Sequence, residues 1–564
     1  MNVRKMAGMA VVLACLLGLA AAPCRADSPA RPDKSSVVPL PSSTEKVLYG
    51  FVPDDPYFHR NTPSAGWAGQ WHLVNEFGTG IDANVVGAWA RGITGAGVTI
   101  GIVDDCLQIN HPDLAPNYDA ADSWDFGSND DDPSPANPGD MHGTSVAGVA
   151  AAKGGNSIGV VGAAPNAGLA GLRIDFVNQT EQMFIDATLY HSSGNNTSIK
   201  VKNHSYGVSA PYVDAAGEVA ALKTSAAAGT IHVFSAGNQR SSNWIVGWAD
   251  DTNKKQLRNN PAGIAVAALG SDGKYASYSS YGACVFVTAP SNSASGFTGI
   301  TTTDVTGTGG YNDATHDSFP DDNYTSQFGG TSSASPLVAG VMALGKEVQP
   351  ALNGRMAKHL LAMTSRIVNA SDASESSDGG WRTNAAGRHF NQNYGFGLVD
   401  ADAFTAAAVQ YTGVSPLITE GTGTVQVGAA IPDNNLTGVT RTFTLNQDVP
   451  LEEVLVHLNI THTWRGDLEA YLTSPSGYTS RLLIWAADPD DVIDWTFTTN
   501  AFWGEDPEGL WSLNVRDTWE YDLGTWNSYS ATAYMGTLVP EPATLSLLAL
   551  GGLALLRRKS DYGG

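Results

Sequence analysis

The stretch Gly330-Thr331-Ser332-Ser333-Ala334-Ser335-Pro336 constrains this chain more than any other. It sets a hydroxyl beside a glycine turn, directly ahead of the small-residue segment Ser332–Val348. Ala334, Ala339 and Gly340 predict that this segment is a buried helix with its neighbours packed closely against it. Pro336 suits such a helix only near its start, where N–H groups have no intrahelical partner and the remaining free amides face an arriving oxyanion. Ser332 is therefore the candidate nucleophile. A serine at a helix start is ordinarily just a cap; the whole string, not the serine alone, is specific.

The other parts of such a site occur earlier in the chain. The continuously apolar, β-branched run Val98-Thr99-Ile100-Gly101-Ile102-Val103 predicts a central strand of a parallel sheet, and it ends on Asp104-Asp105. Sites in open α/β sheets assemble at such carboxyl ends. His142-Gly143-Thr144 opens a second small-residue helix, and two more strands are expected over Ile199–Ser205 and Thr230–Ser235. The second of these leads into Ala236-Gly237-Asn238. Singly, these are a turn acid, a helix cap and a turn amide. Together, an acid that orients a base, a base that takes a hydroxyl proton, and an amide that donates to a tetrahedral oxygen are the components of acyl transfer. The chain order Asp…His…Ser is that of the subtilisin scaffold.

With those motifs, and with Asn110-His111-Pro112-Asp113-Leu114 and Asn393–Ala401, residues 52–411 resemble the subtilisin-like serine protease domain, specifically its kexin and furin branch. Residues 420–538, including Thr461–Leu468 and Leu472–Gly477, resemble the P domain that follows it in convertases. The resemblance implies an α/β fold, a three-layer domain with a parallel sheet, followed by an all-β jelly-roll-like sandwich. It also implies that Asp104 orients His142, that His142 is general base and then acid, that Ser332 is the nucleophile, and that Asn238 with the Ser332 amide forms the oxyanion hole. Such a protein is a secreted calcium-dependent serine endopeptidase acting on proteins or peptides. The competing reading is an inactive protease-like envelope protein that binds a partner or polymer through its sandwich.

Calcium is the cofactor implied. The family's strong site maps onto Asp82, Asp113, the Asn156 side chain and the backbone carbonyls of Lys153, Ile158 and Val160, hard oxygen ligands that suit Ca²⁺. A second set maps onto Asp125, Asp130 and Asp132. On the substrate side the resemblance points to Asp105 and to Ser205, Tyr206 and Gly207. Kexin and furin prefer basic residues before the cut because carboxylates line their pockets. Here Val208-Ser209-Ala210 follows where the family places an acid, Lys254-Lys255-Gln256-Leu257-Arg258 stands near a second such position, and Gly282 replaces a calcium-binding Glu. Strict dibasic preference is therefore not expected, unless Asp250 or Asp251 restores the charge.

The ends of the chain concern location. Residues 1–26 carry Arg4 and Lys5, a short apolar run and small residues, as a secretory signal peptide does, and residues 27–51 read as a Pro/Ser linker. Removal of the signal leaves Cys106 and Cys284, whose pairing the sequence leaves open. Residues 412–419 are a second linker, and 539–564 resemble a PEP-CTERM sorting signal: Val539-Pro540-Glu541-Pro542, the apolar Ala543–Leu556, then Arg557-Arg558-Lys559. That apolar run is shorter than the roughly 20 residues of a permanent span, so it implies transient membrane association and an exosortase-type sorting protease as partner. The expected location is the envelope or exterior of a bacterium with a Gram-negative type of envelope. A formal charge of −24, with no basic run in the interior, excludes nucleic acid as a partner.

Overall fold

Buried on both faces, the apolar runs become strands of one parallel sheet. The computed structural model describes residues 50–541 apart from 60–68, 77–78, 241–245, 248–249, 294–298, 314–316 and 318, so the expected signal peptide and nearly all of the sorting tail lie outside the described residues. The sheet comprises β1 (Thr99–Asp104), β2 (Trp124–Asp125), β3 (Gly168–Arg173), β4 (Ile199–His204), β5 (Ile231–Ser235), β6 (Gly263–Leu269) and β7 (Val285–Pro290). Their order across it is β2-β3-β1-β4-β5-β6-β7, every pair parallel. The helices are α1 (Val85–Ala90), α2 (His142–Ala151), α3 (Glu181–Leu189), α4 (Ala216–Ala227), α5 (Thr331–Val348), α6 (Gly354–Thr364) and α7 (Ala401–Ala408).

The alternation of β1 shows the layers. Ile100 and Ile102 join the core that holds Val146 and Val149 of α2 and Leu337, Val338 and Val341 of α5. Val103 turns the other way, toward Phe184 and Ala187 of α3. Helices thus cover both faces of the sheet, giving three layers. Helix α5 is buried from Thr331 to Lys346. At Gly340 a Cβ would stand 2.7 Å from the Ala163 Cβ and 2.9 Å from the Ala150 carbonyl, which is why small residues run along this helix.

Pro336 is the sixth residue of α5, past the first turn in which a missing N–H costs nothing. Its missing N–H leaves the Ser332 carbonyl without its i+4 donor. The Ser205 hydroxyl supplies the bond instead, donating to the Ser332 carbonyl at 3.0 Å.

Two antiparallel pairs, β8 (Ile300–Thr303) with β9 (Tyr324–Phe328) and β10 (Arg382–Thr383) with β11 (His389–Phe390), precede the second core. That core is a sandwich. Its strands are β12 (Tyr411–Val414), β13 (Ile418–Gly421), β14 (Val425–Ile431), β15 (Asn435–Leu445), β16 (Leu451–His462), β17 (Leu468–Thr473), β18 (Thr479–Leu483), β19 (Val492–Thr499), β20 (Gly509–Asp517), β21 (Gly524–Met535) and β22 (Leu538–Pro540). One sheet runs β13-β21-β16-β19, with β14 also pairing β21, and the other β15-β20-β17-β18. Period-2 burial along β20 and β21 sends Trp511, Leu513, Trp526 and Ala531 into the space between the sheets.

The two cores share a polar seam. Arg355 of α6 donates through Nε and Nη2 to Glu452 of β16 at 2.8 and 2.6 Å, and His359 meets the same carboxylate at 3.0 Å. Lys358 is ion-paired with Glu453, both side chains nearly excluded from solvent. Trp503, which follows β19, packs edge-on against Phe286 in the core of the first domain. Arg465 pairs with Asp488 at 2.9 Å and Asp490 at 2.8 Å, and its guanidinium lies over the ring of Tyr212.

Candidate active site

Asp104, the last residue of β1, is buried, and its Oδ1 lies 2.8 Å from Nδ1 of His142, the first residue of α2. This leaves Nε2 of the imidazole for the nucleophile. The neighbouring Asp105 works on the same helix from outside it: one oxygen accepts from the amides of Met141 (3.0 Å) and His142 (3.1 Å), the other from Gly143 (2.7 Å). It thereby takes up donors that every helix start leaves open, and its negative charge suits that end of the helix. Burial, with Asp104 alongside, pushes Asp105 up to about 6. Burial works to lower the His142 imidazolium, but the Asp104 charge and hydrogen bond, with Asp105 behind them, outweigh it and push His142 up to about 9.

Ser332 is the second residue of α5, and Ser205 grips it at both ends. The Ser205 hydroxyl donates to the Ser332 carbonyl, and the Ser332 hydroxyl donates to the Ser205 carbonyl at 3.2 Å. For proton transfer the Ser332 O–H must be redirected toward His142 Nε2. Asn238 stands just beyond β5; its Oδ1 accepts from both the Thr331 amide and the Thr331 hydroxyl, each at 2.9 Å. With its carbonyl oxygen committed, Asn238 keeps Nδ2 to offer as a donor. β1, β4 and β5 therefore deliver Asp104, Ser205 and Asn238 to one carboxyl edge, where α2 begins with His142 and the first turn of α5 carries Ser332. A base oriented by an acid, a hydroxyl and an amide donor can together carry out acyl transfer.

The extensions Ser205-Tyr206-Gly207 of β4 and Ala236-Gly237-Asn238 of β5 flank the nucleophile. A Cβ on Gly207 would lie 2.2 Å from both terminal nitrogens of Arg258, and one on Gly237 would lie 2.4 Å from the Lys255 ammonium. Burial, then the nearby Arg258 charge, pushes Lys255 down to about 7. Asp250 and Asp251 are buried elsewhere on the same loop. Asp250 accepts from the Tyr281 hydroxyl and lies 3.8 Å from Lys254, while Asp251 accepts from the Asn253 amide at 2.8 Å. At Gly282, φ is +143° and a Cβ would stand 2.4 Å from an Asp251 oxygen and 2.7 Å from Asn253 Oδ1, so this position has no room for a Glu.

The residues assigned to calcium are only partly brought together. Asp113 accepts from Asn156 Nδ2 and from the Val160 amide, both at 2.8 Å, on the loop that also carries Lys153 and Ile158. Asp82 is not part of this group: it accepts from the Asn75 and Asn84 amides and lies 3.7 Å from Arg366. Asp55 stands there instead, accepting from the Gly155 amide at 2.9 Å, with its other oxygen buried and unpartnered. The Tyr324 hydroxyl lies against the Asp113 carboxyl. Burial pushes Asp113 up to about 7, with the Asp55 charge adding to the shift. Two carboxylates, one of them with an orphaned buried oxygen, a side-chain amide oxygen and nearby carbonyls fit a hard cation. The acid pair Asp54-Asp55 before Pro56 is the sequence feature that could have pointed to this ligand. In the second set, Asp125 is held by Arg173 Nη1 at 3.0 and 2.9 Å, and Asp130 and Asp132 are exposed turn residues accepting local amides. Cys106 and Cys284 are both free and buried.

Fold and site together define a serine peptidase of the subtilisin type. Residues 95–397 match the subtilase family, 451–532 the proprotein convertase P-domain and 538–560 the PEP-CTERM protein-sorting motif. The chain belongs to the subtilase family, in its kexin/furin-type proprotein convertase branch. It is 32% identical over 488 residues to neuroendocrine convertase 2 of Drosophila melanogaster, covering 82% of this chain and 69% of that protein. It is 31% identical to the dibasic-processing endoprotease of Schizosaccharomyces pombe, covering 80% of this chain but 62% of that one. The crystal structure of the serine protease of Aeromonas sobria superposes with a TM-score of 0.74 at 27% identity, covering 88% of this chain and 97% of that one.

Proposed function

We propose that this chain is an exported, calcium-dependent serine endopeptidase that hydrolyses peptide bonds in proteins through an acyl-enzyme on Ser332. His142 Nε2 takes the Ser332 proton as Oγ attacks the scissile carbonyl carbon. The carbonyl oxygen, now negative, accepts from Asn238 Nδ2 and the Ser332 amide. Asp104 holds the Nδ1–H of His142 and stabilises the imidazolium. That imidazolium then protonates the leaving amine, and water repeats the sequence to free the acid. The supporting observation is the 2.8 Å Asp104–His142 contact at the same sheet edge as Ser332 and Asn238. Ser205, Tyr206 and Gly207 form the substrate side, with Asp105 behind the adjoining subsite. Asp55, Asp113, Asn156 and the carbonyls of Lys153, Ile158 and Val160 would hold Ca²⁺, which when bound neutralises the carboxylates and ties the N-terminal segment to the loop after α2.

In this reading residues 52–411 form the catalytic domain and 420–538 the P domain. The tail from 539 directs sorting by an exosortase-type protease in the envelope. Among the described residues no helix is long and apolar enough to cross a membrane. A fluorophosphonate probe should label the processed protein in calcium and fail to label Ser332→Ala. Absence of labelling and of peptide cleavage in the unmodified protein would return the chain to the alternative of an inactive envelope binder.

A further inference from the structure

We propose that the primary specificity pocket is cationic and takes an acidic side chain, Glu or Asp, at the residue before the cut, with Arg258 and Lys255 as its specificity-determining residues. The inference rests on the peptidase reading above. With the scissile carbonyl between Ser332 and Asn238, the preceding side chain enters the gap between Ser205–Gly207 and Ala236–Asn238, because these segments continue the adjacent strands β4 and β5 past the nucleophile. Gly207 and Gly237 contribute no side chain to that gap. What stands directly against their Cα atoms is the Arg258 guanidinium on one wall and the Lys255 ammonium on the other.

Both cations are fixed in place. Arg258 donates through Nε to the Ser235 carbonyl and through Nη2 to the Tyr206 carbonyl, so it ties the two walls together across the base of the gap. Lys255 donates to Gln239 Oε1 on the adjoining turn. Their loop is held from behind by the sandwich: Asn253 Nδ2 donates to the Thr498 carbonyl at 2.7 Å, Trp495 Nε1 to the Asn253 carbonyl at 2.8 Å, and the Thr498 amide to Asn259 Oδ1 at 2.7 Å. Asp250 and Asp251, on the same loop, face Tyr281, Lys254 and Gly282, and their charges also reach Lys255, where they favour its protonated form. From α4, Glu218 feels the Arg258 charge, while its own burial pushes it up to about 7.

A Lys or Arg side chain entering this gap would lose its water, meet the fixed Arg258 charge, and push Lys255, already down to about 7, further toward its neutral form. A carboxylate would instead exchange water for charge-assisted hydrogen bonds. Acid recognition thus reverses the sign of the preference carried by the basic-specific members of the branch.

The test uses the processed protein with calcium on four peptides identical except for Glu, Gln, Lys or Leu before the cut, with fluorophosphonate labelling measured in parallel. Glu should be cut with a kcat/KM roughly tenfold or more above Gln, the scale of a charge-assisted hydrogen bond, and Lys should be the poorest. Lys255→Gln should shrink the Glu/Gln ratio while probe labelling persists; Arg258→Gln should do the same, and Lys255→Gln decides the matter if the arginine variant does not fold. Normal labelling with a preference for Lys, Leu or a small residue would overturn the acidic pocket and leave the serine peptidase standing. Failure of both labelling and cleavage would remove both.

Discussion

His142 and Asp104 set the pH behaviour of any chemistry at Ser332. A general base must be neutral to accept a proton, so kcat/KM should rise with pH. The midpoint should lie above the ordinary histidine value of about 6.5, because Asp104 and Asp105 hold the imidazolium up to about 9. Asp104→Asn should move that midpoint downward and lower the rate at every pH; a midpoint unchanged in this variant would show that the carboxylate does not set the base. These residues were legible in the sequence because each sits in a short motif whose chemistry depends on its own side chain. Arg258 and Lys255 were legible only as charges near an uncertain position. Their approach to Gly207 and Gly237 depends on a loop path that spacing does not encode.

The loop after α2 and the segment at Asp55 meet across about a hundred positions of chain. The family resemblance matches Asp82 to the upstream acid of this site and leaves Asp55 out of it. In the fold, Asp82 serves the start of α1 and Arg366, whereas Asp55 keeps a buried oxygen free beside the loop. The consequence is measurable through Asp113. Its carboxyl is pushed up to about 7 from an ordinary 3.8, so without metal its contribution to stability is full below about 4 and is lost as pH rises through 7. Melting temperature in chelator should therefore fall across that window, and calcium should restore it at neutral pH. Asp55→Asn should abolish the calcium effect and Asp82→Asn should leave it intact; the reverse outcome would reinstate Asp82 as the ligand. The strands were read correctly from continuous apolar runs, and the two catalytic helices from their small residues. The depth of Pro336 within α5 was not, because it depends on Ser205 arriving from β4 to satisfy the Ser332 carbonyl.

At the scale of the molecule, the seam between the catalytic core and the sandwich is made of charges removed from water. Lys358 and Glu453 illustrate its sensitivity, with side-chain exposures of 4% and 3%. Lys358→Met alone strands the Glu453 carboxylate and should cost about 3–5 kcal/mol, whereas the Lys358→Met, Glu453→Leu double variant should be close to neutral. Thermal midpoints of the single and double variants check this; equal losses in both would mean that packing, not charge, holds the seam. The sequence showed two domains and their classes, but not this seam, since Arg355, Lys358 and His359 look like an ordinary solvated helix face until β16 covers them.

The grip of β19 on the loop at 250–260 also sets an order in time. Asn253 and Asn259 find their partners at Thr496 and Thr498, 245 and 239 positions apart for the two best-defined contacts. A ribosome adding about 5–20 residues per second reaches those partners on the order of 10–50 s after it has made the loop. The segments bearing Asp104, His142, Asn238 and Ser332 are all complete before β19 exists. In chain order, then, every residue of the cutting machinery comes before the strand that fixes the loop beneath the substrate gap, and the support for discrimination between substrates is written last.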